Sequence, residues 1–186
     1  MLDFKAVIAN DPSGSLSSWN SSIHYCRWRG VTCSNLKNHG RVTALNLANQ
    51  GLSGSISPSV GNLTYLHTLD LSSNQFSSQI PDLNNLQKMQ VLNLSYNSLD
   101  RVIPDRLTNC SNLKELHLYH NLLKGAIPRG IGCLKNMGFL AHNDNNLIGT
   151  IPPDLGNVRM RPTSVLPCPK ADIQVSECTY AKEPSK

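Results

Sequence analysis

Leucine pairs recur along this chain with a nearly constant period. The segment Leu-x-Leu occurs four times, and a fifth line keeps the first leucine but has histidine in the second position (Leu45/Leu47, Leu69/Leu71, Leu92/Leu94, Leu116/Leu118 and Leu140/His142). The first leucines are spaced 24, 23, 24 and 24 residues apart. Because side chains alternate across a strand, each segment predicts a short strand with both leucines on one face.

Further columns accompany each leucine pair at constant offsets. Asparagine follows the second position by three residues, with glutamine in the first line (Gln50, Asn74, Asn97, Asn121 and Asn145). Next come an apolar position (Leu52, Phe76, Leu99, Leu123 and Leu147) and an isoleucine (Ile56, Ile80, Ile103, Ile127 and Ile151). Proline follows that isoleucine in four lines (Pro81, Pro104, Pro128 and Pro152), and glycine precedes it by two residues in three (Gly54, Gly125 and Gly149).

Each column has a physical role in a stack of repeated units. One unit cannot bury its own apolar face, so neighbouring units must stack and their strands must form a parallel sheet. The asparagine amide can pair with backbone groups of its own loop and of the next one, where water cannot reach. Glycine permits the positive φ of a tight bend. The pattern therefore predicts an α/β repeat array with a parallel sheet.

The lines Leu-x-x-Leu-x-Leu-x-x-Asn-x-Leu-x-Gly-x-Ile-Pro resemble the plant-specific class of leucine-rich repeats. The preceding segment is similar to the N-terminal cap of that family, through Leu16-Ser17-Ser18-Trp19-Asn20 and Cys26-Arg27-Trp28-Arg29-Gly30-Val31-Thr32-Cys33. The resemblance covers about residues 2–159 and is strongest to ectodomains of plant receptor-like kinases and receptor-like proteins, particularly immune receptors. It implies a right-handed leucine-rich-repeat solenoid with a concave parallel β-sheet and a disulfide-closed helical N-terminal cap.

Three segments follow from this comparison. Residues 1–40 form the cap, 41–159 form five repeats of 23–24 residues, and 160–186 form a tail outside the repeat pattern. In the cap we expect a helix from Leu2 to about Ala9, stopped by Asn10-Asp11-Pro12. Apolar cap residues would cover the first sheet edge, which would otherwise invite pairing with another chain. They are Leu2, Phe4, Val7, Ile8, Trp19 and Trp28.

The six cysteines fall into three groups. Cys26 and Cys33 are expected to form the disulfide of the cap, since the nearby histidines lack the paired spacing of a zinc site. Cys110 lies in an apolar column and is expected to be a buried free thiol, with a disulfide to Cys133 as the alternative. Cys168 and Cys178 could close a rudimentary C-terminal cap; the competing interpretation, which we favour slightly, is a disordered end produced by truncation or altered splicing.

Composition narrows the function classes. The net charge is a mild +5 and aromatic residues are 5% of the chain, without basic runs and interleaved aromatics, so nucleic-acid binding is not indicated. No stretch of 18 apolar residues predicts a membrane span. The motifs of kinases, hydrolases and phosphate-binding loops are absent from the sequence, so we expect a non-enzyme without metal or cofactor. The cluster at His117, Tyr119 and His120 has no carboxylate or cysteine that completes a metal or catalytic site.

Candidate binding residues lie at the non-leucine positions of the strands and nearest the following turn, which form the concave face. Aromatic and imidazole groups concentrate in repeats three to five, and such residues are favoured at interfaces. With a nearby lysine they form the candidate site: Tyr96, Lys114, His117, Tyr119, His120 and Phe139. Acceptor sequences for N-glycosylation occur at Asn20, Asn62, Asn93 and Asn109. Asn93 lies on the proposed face, which argues either against its use or for binding toward repeats four and five.

The resemblance implies a protein- or peptide-binding recognition module of a plant cell-surface receptor, or a truncated form of one, in immune or developmental signalling. The alternatives are a short co-receptor-like or secreted decoy module that docks onto a larger leucine-rich-repeat receptor, and a secreted inhibitor of cell-wall-degrading enzymes. All of these are extracellular. Since Met1 to Lys5 show no signal peptide, a leader was removed or the chain begins inside a longer product.

Overall fold

A computed structural model describes residues 1–34, 40–150 and 152. One helix and twelve strands lie in these ranges, in the order α1 (Leu2–Ala6), β1 (Ile8–Asn10), β2 (Val31–Cys33), β3 (Val42–Asn46), β4 (Ser53–Ser55), β5 (Thr68–Asp70), β6 (Gln75–Ser78), β7 (Val91–Asn93), β8 (Ser98–Leu99), β9 (Glu115–His117), β10 (Lys124–Gly125), β11 (Phe139–Ala141) and β12 (Asn146–Leu147). Short 3-10 turns also occur (Tyr25–Arg27, Pro58–Asn62, Asp105–Asn109 and Arg129–Cys133). The expected Cys168–Cys178 pair, Ile151 and the tail lie outside the described residues.

The five leucine lines and the cap strand β2 build a six-stranded sheet in the order β11-β9-β7-β5-β3-β2. Neighbouring repeats pair in parallel and in register, so that the first leucine of each line lies opposite the first leucine of the next. Each strand ends one residue before the second leucine position. The prediction of a parallel sheet made of Leu-x-Leu strands is therefore confirmed.

A second layer of short strands was not expected. Strands β1, β4, β6 and β8 form one small sheet, and β10 pairs with β12 in another. In the first of these sheets, β1 pairs antiparallel with β4, and Ile8 lies opposite Gly54. A Cβ atom at Gly54, which has φ +118°, would overlap backbone atoms of Val7 and Ala9. Glycine is therefore required where the cap backbone approaches the first repeat.

The core lies between the two layers and consists mainly of leucine and isoleucine. The first leucine of each line is 0–3% exposed, and the isoleucine column is equally buried where it is described. Each such side chain contributes about 1.5–3 kcal/mol of burial free energy. Since no single repeat could enclose its own leucines, this burial is a property of the stack.

The asparagine column forms a continuous ladder of buried hydrogen bonds. The Asn121 amide nitrogen donates to the Leu94 carbonyl at 2.9 Å and the Leu118 carbonyl at 3.1 Å, while its Oδ1 accepts from the Leu99 amide at 3.0 Å. Asn74, Asn97 and Asn145 each repeat this pattern, donating to carbonyls of their own repeat and the preceding one. The amides thus pair with buried backbone groups as predicted, but the second partner belongs to the preceding repeat and not to the next one.

The N-terminal segment covers the first strand through both hydrogen bonds and packing. Strand β2 pairs antiparallel with β3, and the Cys26–Cys33 disulfide closes the loop leading into β2, as predicted. Phe4 is fully buried, with its ring centroid 5.9 Å from Trp19 and 6.3 Å from Phe76 of the second repeat. The cap is thereby anchored in the core of the repeats.

Three details of the expected cap are wrong. The helix ends at Ala6 instead of about Ala9, because the chain turns into β1 to pair with the first repeat. Leu2 and Val7 are 46% and 37% exposed, so they do not cover the sheet edge. Asp11, expected as a helix stop, instead accepts hydrogen bonds from the next turn, at the amides of Ser15 and Leu16.

Cys110 is a fully buried free thiol, and Cys133 is free and exposed. The Sγ of Cys110 donates to the Leu83 carbonyl at 3.4 Å. Burial, with a smaller contribution from the negative charge of Asp82, raises the pKa of this thiol to about 11. Cys110 is therefore a buried free thiol, as expected, and the alternative Cys110–Cys133 disulfide is not formed.

The asparagine ladder predicts a large effect for a single amide. Asn121→Ala leaves the buried Leu99 amide without a partner and removes one of the two asparagine donors from the Leu94 and Leu118 carbonyls, so unfolding should require about 1–3 kcal/mol less free energy. Asn112→Ala is the matched control, since Asn112 makes one exposed bond to the Gln87 carbonyl. Urea unfolding of both variants provides the comparison. Equal stability of the two variants would show that the ladder contributes little.

His142 occupies the leucine column of the fifth repeat and is 2% exposed, and its Nδ1 has no hydrogen-bond partner. Burial lowers its pKa from 6.5. As the pH falls below 6.5, the unfolded chain takes up a proton that the folded chain resists, so stability should decrease. Urea unfolding at pH 7.5 and 5.0 should show a smaller decrease for His142→Leu, which should also be more stable at both pH values. An identical pH dependence in the variant would exclude this role for His142.

Candidate functional site

The exposed face of the six-stranded sheet carries the candidate site. Five positions per repeat contribute to it, namely the two before the first leucine, the one between the leucines and the two after the second. We call this surface the open sheet face. Its residues are 43, 44, 46, 48 and 49 in the first repeat and the equivalent positions of the next four (67, 68, 70, 72, 73; 90, 91, 93, 95, 96; 114, 115, 117, 119, 120; 138, 139, 141, 143, 144).

Five ring side chains on this face form one continuous group, which we call the ring cluster (Tyr96, His117, Tyr119, His120 and Phe139). The Tyr96 ring stacks on His120 with centroids 4.5 Å apart, and meets Tyr119 edge-on at 5.2 Å. His117 bridges to the next repeat, 4.6 Å from Phe139 and 6.4 Å from Tyr119. The structure thus brings together all the ring residues selected from the sequence.

The backbone at two of these rings is held in the left-handed region. The position directly before the asparagine column has φ between 52° and 55° in every repeat (Asn49, Ser73, Tyr96, His120 and Asp144). This conformation costs most L-residues about 1–2 kcal/mol, and asparagine and aspartate tolerate it best. Tyr96 is a bulky residue at such a position and remains 49% exposed. The turn therefore projects a large ring into solvent at some cost in stability.

Two carboxylates lie beside the histidines of the ring cluster. The Nε2 atom of His117 is 3.3 Å from a carboxylate oxygen of Glu115, and that of His120 is 3.1 Å from one of Asp144. All four side chains are partly exposed, so each pair contributes at most about 1 kcal/mol. Two carboxylates therefore lie beside these histidines, which the sequence analysis did not foresee.

Both carboxylates could have been found from the sequence pattern. Glu115 and His117 are two residues apart on one strand and so share a face. Asp144 occupies the same column as His120, one repeat later, and neighbouring strands are about 5 Å apart. A histidine beside a single carboxylate is too few ligands for a metal centre. Among the described residues, no group of three or more candidate metal ligands occurs.

Lys114 is the selected residue that the structure separates from the rings. It precedes β9, at the opposite end of the strand from Tyr119, and its side chain is exposed. Its backbone carbonyl accepts hydrogen bonds from the amides of Gly138 and Phe139. Lys114 is therefore on the open sheet face but belongs to its other margin.

The glycosylation candidates differ in accessibility. Asn62 and Asn109 are exposed, each at the end of a 3-10 turn outside the six-stranded sheet. Asn20 and Asn93 are half-buried, and the Oδ1 of Asn93 accepts hydrogen bonds from the amide and hydroxyl of Ser95. Asn62 and Asn109 are thus the acceptors that a glycan would reach without crowding the ring cluster.

A cleft at the other end of the molecule has different chemistry. Its volume is about 450 Å³ and it is lined by cap and first-repeat residues, including Leu2 and Trp28. At its rim, the Tyr65 ring is covered by two cations of the chain itself, with Lys88 Nζ 3.8 Å and Arg41 Cζ 5.1 Å from the ring centroid. Tyr65 is therefore an exposed aromatic already engaged within the protein.

Comparison with known proteins agrees with this architecture. The family model for the leucine rich repeat N-terminal domain matches residues 1–34, and the leucine rich repeat model matches residues 66–123. Within the ranges described, no helix has the length and apolar character needed to cross a bilayer.

Similar solved structures include ectodomains of proteins from Arabidopsis thaliana. The BIR2 ectodomain is 37% identical with a TM-score of 0.76, and the match covers 82% of each chain. The ectodomain of the receptor kinase GASSHO1/SCHENGEN3, solved with CASPARIAN STRIP INTEGRITY FACTOR 2, is 41% identical with a TM-score of 0.81; the match covers 86% of this chain and 19% of that one.

A curated relative is the Arabidopsis thaliana LRR receptor-like serine/threonine-protein kinase EFR, 45% identical over 82 residues. That match covers 44% of this chain and 8% of EFR. This chain therefore spans only a small part of the length of such receptor kinases.

The geometry predicts opposite consequences for two adjacent residues. Leu118 is fully buried, so Leu118→Ala should reduce the free energy of unfolding by about 2–5 kcal/mol. Tyr119 lies outside the core, and Tyr119→Ala should leave stability within about 1 kcal/mol, because only ring contacts at the surface are lost. Thermal unfolding of both variants measures the difference. Comparable destabilisation by the two would mean that Tyr119 is structural.

Proposed function

Because the chain belongs to the family of plant leucine-rich-repeat receptor-kinase ectodomains, we propose that it is a recognition module that binds a protein or peptide ligand on the open sheet face. The observation that carries this proposal is the ring cluster, a continuous group of partly exposed rings across repeats three to five. Tyrosine is enriched among the residues that dominate binding energy at interfaces.

The frame beneath the cluster suits recognition. The rings project from strands and turns whose backbone is fixed by ladder hydrogen bonds and by the buried asparagine amides. A partner would therefore meet side chains that lose little backbone freedom on binding, which reduces the entropic cost of association. The open sheet face of repeats one and two carries mainly small polar residues, so the binding energy should concentrate at the ring cluster.

The related ectodomains support the same assignment. GASSHO1/SCHENGEN3 was solved with CASPARIAN STRIP INTEGRITY FACTOR 2, and HAESA with the peptide hormone IDA and the co-receptor SERK1. On this basis the chain acts outside the cell, in immune or developmental signalling, as a binding module and not as an enzyme. A right-handed solenoid with a concave sheet, with boundaries at 1–40, 41–159 and 160–186, belongs to the same proposal.

A second candidate function is a short co-receptor-like or decoy module that docks onto a larger receptor. The observation that favours it is the similarity to a chain of the BIR3–SERK2 complex structure, which is 37% identical and in which one receptor ectodomain was solved together with another.

Binding by the cluster predicts a loss on truncation. With a partner recovered by pull-down with the purified chain, joint alanine substitution of Tyr96, Tyr119 and His120 should weaken affinity by about 2 kcal/mol or more, a factor of about 30 in Kd. Isothermal titration calorimetry measures this change. The matched control is Tyr65→Ala, which removes an exposed ring away from the cluster. Unchanged affinity in the triple variant, or an equal loss in the control, would refute binding at these repeats.

The same pull-down separates the two candidate functions. Capture of a peptide or small secreted protein supports a ligand-binding module. Capture of a larger leucine-rich-repeat ectodomain, dependent on the ring cluster, supports the co-receptor-like or decoy function.

A further inference from the structure

The open sheet face differs in charge from the rest of the chain. The protein carries a net charge of +5 with histidines neutral. On the open sheet face there are three carboxylates, those of Asp70, Glu115 and Asp144, and one lysine, Lys114, which gives this surface a net charge of −2. Apart from Lys114, the basic residues that the structure describes lie outside this face. The face is thus a negative surface on a positive protein, which favours a positively charged partner.

The negative groups lie at the ring cluster itself. Glu115 and Asp144 contact His117 and His120 and keep about half of their side-chain surface exposed, at 50% and 48%. Their carboxylates are therefore accessible to a group that approaches the rings.

The rings lack an internal cation. Among the residues that the structure describes, Tyr65 is covered by Arg41 and Lys88, whereas no lysine or arginine covers a ring of the cluster. Tyrosine and phenylalanine faces attract cations through their quadrupole, and arginine also stacks on them and forms paired hydrogen bonds with carboxylates. The exposed cluster offers both kinds of contact together.

From this geometry we propose that the ring cluster takes up a positively charged side chain, arginine in preference to lysine, from a basic segment of the partner, with Glu115 and Asp144 as its counter-charges. This inference rests on the proposed function, since it specifies the ligand of the same surface.

The test uses random dodecapeptides displayed on phage and selected on the full chain at pH 7.5. Selected peptides should be enriched in arginine or lysine. In a synthetic copy of the best binder, replacing arginine with citrulline keeps the shape and removes the charge, and should weaken binding about tenfold or more. The same loss should follow from the double variant Glu115→Gln and Asp144→Asn.

Controls separate this inference from the proposed function. Asp105→Asn removes an exposed carboxylate outside the open sheet face and should leave affinity unchanged. Thermal unfolding verifies that each variant is folded. Peptides that need Tyr96, Tyr119 and His120 but tolerate citrulline overturn the cation inference and leave the proposed function standing. A selection that yields no peptide dependent on those three residues contradicts both.

Discussion

The structure depends on one constraint: every repeat turns its backbone inside the protein, where the peptide groups cannot reach water. The buried asparagine amides meet this constraint. Each bonds carbonyls of its own repeat and of the preceding one and accepts an amide from that preceding repeat. An unpaired buried group costs about 1–3 kcal/mol, so the amides both close each turn and fasten it to its neighbour. The leucine columns supply burial energy, and the asparagines determine where the chain bends.

The position of the ring cluster follows from that bend. The residue before each asparagine must adopt the left-handed conformation, which directs its side chain to the margin of the open sheet face. Repeats one and two fill this position with Asn49 and Ser73, whereas repeats three and four use Tyr96 and His120. The same turn that secures the fold thus displays the rings of Tyr96 and His120. The ring of Tyr119, one position before His120, packs against both.

The sequence was informative wherever a residue recurs at a fixed offset. The Leu-x-Leu strands, the amide bonds of Asn121 and the grouping of the rings all follow from column position, and the Cys26–Cys33 disulfide from the resemblance of the cap. The short strands of the second layer did not, because residues such as Ser53–Ser55 lack the alternation of a strand and pair only through the stack. The helix end at Ala6 was missed because pairing of β1 with the first repeat is a long-range contact. Glu115 and Asp144 were overlooked as partners of the histidines because one contact runs along a strand and the other between two repeats.

The central claim is that the ring cluster is the surface at which this molecule meets its partner. Hydroxyl-radical footprinting of the complex tests it most directly, because tyrosine and phenylalanine rings are oxidised in proportion to their accessibility. Tyr96 and Tyr119 should become protected when the partner is bound, while Tyr65, 39% exposed and remote from the cluster, should be oxidised as in the free protein. Protection of Tyr65 with unchanged oxidation of Tyr96 and Tyr119 would contradict the account and place the interface at the cap.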